Sequence, residues 1–536
     1  MSWSTRDRLT LDRAVDEQAM REGHKVCTIL QDEPVTYAEM AARSTSVANG
    51  LLDLGVGHGD SVALLSQNCP EMLYTWFGAG KIGAIEVAIN SAYRGEFLRH
   101  QLDNCQAKVV VTEEELAPRV LELAGALPEL RTVVVRGKTV PGGLAAPAGV
   151  NLLSTDELLS FDSATLGACR APSWDEPCSI IYTGGTTGPS KGAVLSHNYM
   201  VRAAQKFAAS LRSGPEDVIY TPLPLFHLNA KAVTVLGSIL TGQTGVIDRR
   251  FSVSRFWDRV RRYEATGISI LGSMIMMLWN LPRTEADAQL PVRSMLAAPV
   301  PAELHRAIEE RYRLTITVMY GLSESAPLIF SSVDDPPVPG SSGKVNEAFD
   351  VRLFDDNEAQ VPVGEVGEVV CRPLEPHVMF DGYYRNEPAT VTAWRNLWFH
   401  TGDLARFDED GNFFFVDRKK DAMRRRGENI SSYEVERAVL LHPAVAEVAA
   451  HAVASEFSED DVKLCIILRD GSTASHQAIM DHCVANMPAF ATPRYIEFVD
   501  DLPRSPVGRV LKYQLRERGR TETTWDREEA GYVVPR

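Results

Sequence analysis

Residues 183–192 read Thr183-Gly184-Gly185-Thr186-Thr187-Gly188-Pro189-Ser190-Lys191-Gly192 and lie between two short apolar runs. This segment restricts the fold more than any other in the chain. Glycines let backbone N–H groups turn inward around an anion, threonine hydroxyls donate further hydrogen bonds, and Lys191 supplies a point charge. The segment is therefore built to hold phosphates. It is not a Walker A loop, in which Gly and Lys are adjacent and a helix opens directly after them; here Pro189-Ser190 separates Gly188 from Lys191. Ala193-Val194-Leu195 predicts a second strand, and only after Ser196 does the spacing of Val201, Ala204, Phe207, Ala208 and Leu211 predict an amphipathic helix.

The rest of the chain predicts an α/β fold. An amphipathic run from Tyr37 to Leu54, a strand over Ser61–Leu65, an apolar helix from Glu71 and a buried strand over 108–111 point to layered structure with much parallel sheet. The punctuated segment Pro336 to Gly343 leads into shorter strands (Val351 to Phe354, Gly367 to Cys371, Asn412 to Val416), which predict a small β-rich subdomain. At 536 residues and 45% hydrophobic content the chain can bury large cores and favours more than one domain. The net charge of -16 argues against nucleic acid as a partner. The eight cysteines show no C-x-x-C pair, so neither a zinc site nor a disulfide framework is expected. The N-terminus lacks the apolar core of a signal peptide. The apolar stretch from Ile268 to Leu281 is too short for a bilayer core of ~30 Å, and a soluble cytoplasmic protein without membrane insertion is expected.

Further motifs follow the loop in order: Tyr320-Gly321-Leu322-Ser323-Glu324, Thr401-Gly402-Asp403, Asp417-Arg418-Lys419-Lys420-Asp421, Gly427-Glu428-Asn429-Ile430, and Leu502-Pro503-Arg504-Ser505 leading into Gly508. Together with the loop they resemble the adenylate-forming (AMP-binding) superfamily, over roughly residues 10 to 520. Within it the chain resembles the acyl-CoA synthetase branch, the carnitine-type and fatty-acyl-CoA ligases. The resemblance implies a large N-terminal domain over 1–420 and a small, mobile α+β lid over 421–536, with Lys420 at the hinge. The acidic tail after Arg520 is expected to fray.

The implied reaction activates a carboxylic acid with ATP as acyl-AMP, releasing pyrophosphate, and then passes the acyl group to coenzyme A. Acid and triphosphate are both anions. At ~4 Å two unit charges repel by about 4 kcal/mol at an effective dielectric near 20, so cations and aligned donors must be supplied. By resemblance Thr183, Gly184, Gly185, Thr186, Thr187, Gly188 and Lys191 cradle the phosphates, and Glu324 is a Mg²⁺ ligand. Asp403 accepts from the ribose hydroxyls with Arg418 beside it, and Ala297-Ala298-Pro299 with Tyr320 holds adenine, in the company of Gly321 and Ser323. His227, in Phe226-His227-Leu228-Asn229, lies between nucleotide and acyl sites, and Gly272 to Leu278 lines the acyl pocket; Met274, Met276 and Met277 read equally well as core. Gly427, Glu428 and Asn429 edge the path of the pantetheine arm once the lid has turned.

One departure bears on activity. The family carries a lysine directly after the glycine corresponding to Gly508, whereas this chain has Arg509, with Lys512 three residues further on. Arginine keeps the charge but is planar and forked, so the exchange is not conservative at a bridging site. Either Arg509 or Lys512 can serve as the lid cation. The rival readings are a degenerate nucleotide-binding regulator, an adenylating enzyme with another acyl acceptor, a peptide-synthetase module and a luciferase-like oxygenase. The identity of the acid is not readable, and a homodimer is compatible with the sequence.

Overall fold

The computed structural model describes residues 9–183, 189–418, 423–425, 427–430, 432–455, 459–503, 510 and 512–534, less the side chains of 417, 418, 429, 433, 437 and 513. It divides into two compact units. The first draws on residues 1–91, 103–181 and 192–417, the second on 92–102, 182–191 and 418–536.

Two seven-stranded sheets form the body of the first unit. One has the order Asn151–Ser154, Thr132–Val135, Val109–Thr112, Ser61–Leu65, Ile85–Ile89, Pro177–Thr183, Lys191–Ser196. Its central strands Ser61–Leu65, Ile85–Ile89 and Val109–Thr112 pair in parallel and are buried along their whole length. This is why they read as near-continuous apolar runs, broken in Ile85–Ile89 by Glu86: a parallel sheet covered on both faces has no polar side to alternate with. The flanking helices begin where their caps predict. Thr36 and Glu39 form a reciprocal capping box at the start of Tyr37–Asp53, and Ser196 accepts the Tyr199 N–H at the start of His197–Leu211.

The second sheet runs Thr315–Thr317, Ser294–Ala298, Gly267–Leu271, Val218–Thr221, Thr244–Ile247, Val26–Leu30, Glu33–Thr36, parallel except for its last pair. The apolar stretch from Ile268 becomes the end of one of these strands followed by a short helix, Gly272–Trp279. A five-stranded sheet containing Phe349–Phe354, Gly367–Pro373, Trp398–Phe407 and Phe413–Arg418 forms the expected β-rich part.

The second unit holds a four-stranded sheet (Val445–Ala454, Asp460–Leu468, Tyr495–Phe498, Trp525–Asp526), with helices Ser432–Leu440 and His476–Asn486 contributing to its apolar core. The expectation of a frayed tail after Arg520 is corrected here. Trp525–Asp526 pairs antiparallel with Tyr495 and Ile496, Trp525 stacks on His476 at 5.4 Å, and Asp526 takes the Arg494 guanidinium at 3.2 Å. The tail is acidic, but its aromatic and ionic partners lie on other elements.

Among the described residues no helix is long and apolar enough to cross a membrane.

Candidate active site

The site of the first unit is assembled by strand ends. In the second sheet Ile270 and Leu271 pair with Ala297 and Ala298, and Leu296 pairs with Thr317. The chain leaves these neighbouring strands at their carboxyl ends as Gly272–Trp279, as Pro299 and as Met319–Leu322. The adjacent strand Val218–Thr221 leaves as Pro222 to Asn229. Segments separated by about a hundred residues thus emerge along one edge of an open parallel sheet, where such folds bind ligands. The approach is close. A Cβ on Gly272 would stand 1.8 Å from the Pro299 carbonyl oxygen, so only glycine permits the contact.

The segment carrying His227 is anchored by buried polar groups. Asn68 Nδ2 donates to the Leu223 carbonyl at 2.9 Å, and its Oδ1 accepts the Leu225 N–H at 2.7 Å. Asn229 Oδ1 accepts from Ser269 Oγ at 2.7 Å. His227 is half-buried, its ring edge-on to Phe226 at 4.7 Å. In Gly272–Trp279, Ile275 and Leu278 are buried, Met274 packs against the core, and Met277 is 40% exposed.

Glu324 is buried, and its Oε1 accepts the Tyr383 hydroxyl at 2.8 Å. Its carbonyl takes the Phe380 N–H at 2.8 Å, while the preceding Ser323 carbonyl takes the Tyr199 hydroxyl at 2.9 Å. A Cβ on Gly321 would lie 2.8 Å from the Ser325 carbonyl oxygen, so the Tyr-Gly-x-Ser-Glu turn closes on itself. Asp403 is also buried. It accepts the Tyr320 hydroxyl at 2.9 Å, and its N–H donates to Thr401 Oγ1 at 3.1 Å across a turn that Gly402 makes at φ +75°. Tyr320 stacks on Phe413 at 4.8 Å. Burial first, then the Asp403 charge, pushes the Tyr320 phenol well above its ordinary range, so it remains a donor to that carboxylate. Two carboxylates, one from each of two distant motifs, are each oriented by a tyrosine.

In the second unit Thr183 Oγ1 donates to the Lys191 carbonyl at 3.5 Å, a long contact. Gly184, Gly185, Thr186, Thr187 and Gly188 lie outside the described residues. Ser190 is buried, its Oγ accepting from Gln101 Nε2 at 3.1 Å.

The chain matches the profile of the AMP-binding enzyme family over residues 15–384 and that of the AMP-binding enzyme C-terminal domain over residues 434–509. It belongs to that family. The crotonobetaine/carnitine–CoA ligase of Salmonella typhi is 32% identical over 515 residues, 94% of this chain and 98% of the relative. That of Salmonella paratyphi A is 32% identical over 489 residues, 90% and 93% of the two chains. Among solved structures, the anthranilate CoA ligase AuaEII in complex with anthranoyl-AMP superposes with a TM-score of 0.71 at 26% identity, covering 95% of this chain and 97% of that one. ATP-bound MatB from Rhodopseudomonas palustris gives 0.69 at 25% identity, covering 95% and 99%.

Of the residues expected in a lid, Gly427 and Glu428 lie in the hairpin Met423–Arg425 and Glu428–Ile430, where Asn429 pairs with Arg424. Gly427 adopts φ +79°, and its N–H donates to Glu459 Oε1 at 3.1 Å. Arg418 ends the strand Phe413–Arg418. Lys420 and Arg509 lie outside the described residues. Lys512 Nζ donates to Ser432 Oγ at 2.7 Å and pairs with Glu436 Oε1 at 2.6 Å, both on the same helix of the unit.

Sequence reasoning missed four side chains. Tyr383 and Tyr199 hold the Glu324 turn, and Lys231 forms a fully buried ion pair with Glu86 over the face of Trp76. Lys231 lies in the π-helical segment Ala230–Leu236 that follows the His227 segment. The signal for this pair is present: a lone lysine in Ala-Lys-Ala-Val and a lone glutamate in Ile-Glu-Val-Ala-Ile are isolated charges of opposite sign in apolar runs.

Proposed function

We propose that this AMP-binding enzyme is an ATP- and Mg²⁺-dependent acyl-CoA synthetase, an acid–thiol ligase. The observation that carries the reading is the pair of buried, tyrosine-oriented carboxylates, Glu324 and Asp403, in a chain related over nine-tenths of its length to CoA ligases.

In the first half-reaction a carboxylate oxygen of the acid attacks the α-phosphorus of ATP; the bond to the bridging oxygen breaks, and pyrophosphate leaves with its electron pair. In the second, the CoA thiol sulfur attacks the acyl carbon, AMP departs with the electrons of the acyl–oxygen bond, and the thiol proton is released. Asp403, held by Tyr320, orients the nucleotide through its ribose hydroxyls, a role in which family resemblance enlists Arg418 as well. Ala297, Ala298 and Pro299 supply backbone to the adenine edge, with Gly321 and Ser323 shaping the turn. Thr183, the glycines and threonines of 184–188 and Lys191 cradle the phosphates. His227 stands between nucleotide and acyl group, and the helix Gly272–Trp279 bounds the acyl pocket. These assignments spread the work over many aligned donors, as stabilisation of developing phosphate charge requires.

The donor set suits magnesium. Mg²⁺ keeps several waters and is taken up by one or two carboxylates together with substrate phosphates. Glu324 is one such buried carboxylate, and among the described residues no cluster of three or more acidic, His or Cys side chains forms a cage for a different ion. Bound there with ATP, the ion supplies positive charge to the departing pyrophosphate.

We assign the lid to residues 421–536 with Lys420 as hinge, and the lid cation to Arg509, because Lys512 is already engaged by Ser432 and Glu436. Gly427, Glu428 and Asn429 then edge the path of CoA. We place the reaction in the cytoplasm, a reducing compartment that suits eight unpaired cysteines.

The test is incubation of the protein with ATP, Mg²⁺, CoA and an acid panel of short, fatty, aromatic and polar members together with crotonobetaine, with AMP and acyl-CoA quantified by mass spectrometry. Equimolar AMP and acyl-CoA with at least one acid is expected. ATP binding with no AMP from any acid overturns the reading in favour of a nucleotide-binding regulator, and acyl-AMP that never passes to CoA points to another acceptor.

A further inference from the structure

We infer that Tyr383 is a positioning residue for the metal carboxylate, tuning the affinity of the site for the divalent ion that accompanies ATP. The inference rests on the reading of Glu324 as that carboxylate.

The Tyr383 hydroxyl donates to Glu324 Oε1 at 2.8 Å, and both residues are buried. A glutamate has three side-chain torsions. A donor on one oxygen fixes the plane of the carboxylate and so the direction in which the group faces a cation.

Tyr383 is itself held. Its N–H donates to Thr390 Oγ1 at 2.9 Å, and its ring packs edge-on to Phe380 at 5.0 Å. The backbone around it is laced to the strand that follows the glycine loop: Asp381 N–H to the Val194 carbonyl at 2.9 Å, Val194 N–H to the Gly382 carbonyl at 3.0 Å, and Tyr384 N–H to the Gly192 carbonyl at 2.8 Å. Phe380 N–H in turn holds the Glu324 backbone carbonyl. One five-residue segment, 380–384, therefore grips both backbone and side chain of Glu324, and its other edge is fixed to Gly192 and Val194. A phenol placed merely to fill space would not need its hydroxyl aimed at this oxygen.

The consequence is a selective one. Tyr383→Phe keeps the ring and its packing but removes one hydrogen-bond donor from the carboxylate, and loss of a partner that orients a metal ligand typically lowers metal affinity by about 10- to 100-fold. AMP requires no metal, and its affinity should stay within about twofold, because Asp403 and Tyr320 are untouched.

The experiment measures Mn²⁺ binding to the protein–ATP complex by electron paramagnetic resonance, and AMP binding by calorimetry, for the parent, Tyr383→Phe and Glu324→Gln. The inference predicts weakened Mn²⁺ binding in both variants with AMP affinity preserved, and a Tyr383→Phe ATP–pyrophosphate exchange rate that recovers at high Mg²⁺. Parent-like Mn²⁺ affinity in Tyr383→Phe beside a clear loss in Glu324→Gln overturns the role of Tyr383 alone. Parent-like Mn²⁺ affinity in Glu324→Gln overturns the metal reading, and the inference with it. An equal fall in Mn²⁺ and AMP affinity in Tyr383→Phe assigns the hydroxyl to local folding and also refutes the inference. A Tyr383→Leu variant, which loses ring and hydroxyl together, must weaken Mn²⁺ binding at least as much as Tyr383→Phe.

Discussion

Replacing Arg509 and Lys512 separately by alanine distinguishes the lid cation from its neighbour. Lys512 makes a 2.6 Å ion pair with Glu436 and a 2.7 Å hydrogen bond to Ser432, and the paired side chains are 18% and 16% exposed. That exposure lies between the surface regime, where a pair contributes about 0–1 kcal/mol, and the buried regime, where breaking one costs about 3–5 kcal/mol. Lys512→Ala should therefore destabilise the second unit by about 1–3 kcal/mol. Below the melting transition it should leave ATP–pyrophosphate exchange within about threefold of the parent. Arg509→Ala should do the reverse. Loss of one preorganised charge-stabilising donor lowers the rate by about 10²- to 10³-fold, or about 2.7–4 kcal/mol of transition-state stabilisation, with little change in melting temperature. Attack of CoA on a preformed acyl-adenylate should be spared in Arg509→Ala, and Arg509→Lys should retain or raise exchange. The assays are calorimetric melting, isotope exchange and single-turnover thioester formation. Crippled exchange in a fully stable Lys512→Ala protein, beside a silent Arg509→Ala, would refute the assignment.

Glu324→Gln should lose most adenylation while its melting temperature stays near that of the parent, because a charge-neutral amide keeps the shape but not the metal affinity; near-normal exchange would contradict the metal role. Lys420→Pro should slow thioester formation more than adenylate formation, since only the second step needs the turned lid, and single-turnover measurement separates the two. His197 is buried with Nδ1 accepting the Leu11 N–H at 3.1 Å, and burial lowers its pKa to about 4. Because that value lies below the ~6.5 of an unfolded imidazole, the unfolded state binds the proton more readily. Stability present above pH ~6.5 should then fall by roughly 3 kcal/mol as the pH drops toward 4. Urea unfolding at pH 7 and pH 5 should register the decline, and His197→Asn, whose amide oxygen can accept the same N–H, should flatten it.

How much of this was legible beforehand depended on the range of the interactions. Strands such as Ser61–Leu65 could be read directly because burial on both faces leaves an unbroken apolar run, and helix starts could be read because Thr36 with Glu39, and Ser196, act within one turn. Family resemblance points to Glu324 and Asp403 as site residues but does not say what orients them. Their tyrosine partners stand 59 and 83 residues away in sequence, and no local pattern joins such positions. The C-terminal tail was misjudged for the same reason. Its acidic composition spoke for solvent, while the groups that hold it, Arg494, His476 and Asp481, belong to other elements. Lys231 with Glu86 is the intermediate case: each charge is anomalous in its own run, but their pairing requires the fold.

This division has a physical origin in the parallel sheet. Parallel neighbours need long crossovers, so residues that share the sheet's carboxyl edge are necessarily far apart in sequence. Gly272, Pro299, Tyr320 and His227 each follow a different strand, and their mutual placement is set by the register of buried backbone, Leu271 against Ala298 and Leu296 against Thr317. A register shift of one residue would turn every inward side chain outward, so the apolar core that fixes the register also fixes the site. The 1.8 Å that a Cβ on Gly272 would leave to the Pro299 oxygen is a measure of how little latitude that register allows. The segments assigned above to nucleotide and acyl group are therefore held by the same packing, and the tyrosines on Glu324 and Asp403 supply the remaining orientation that backbone register cannot.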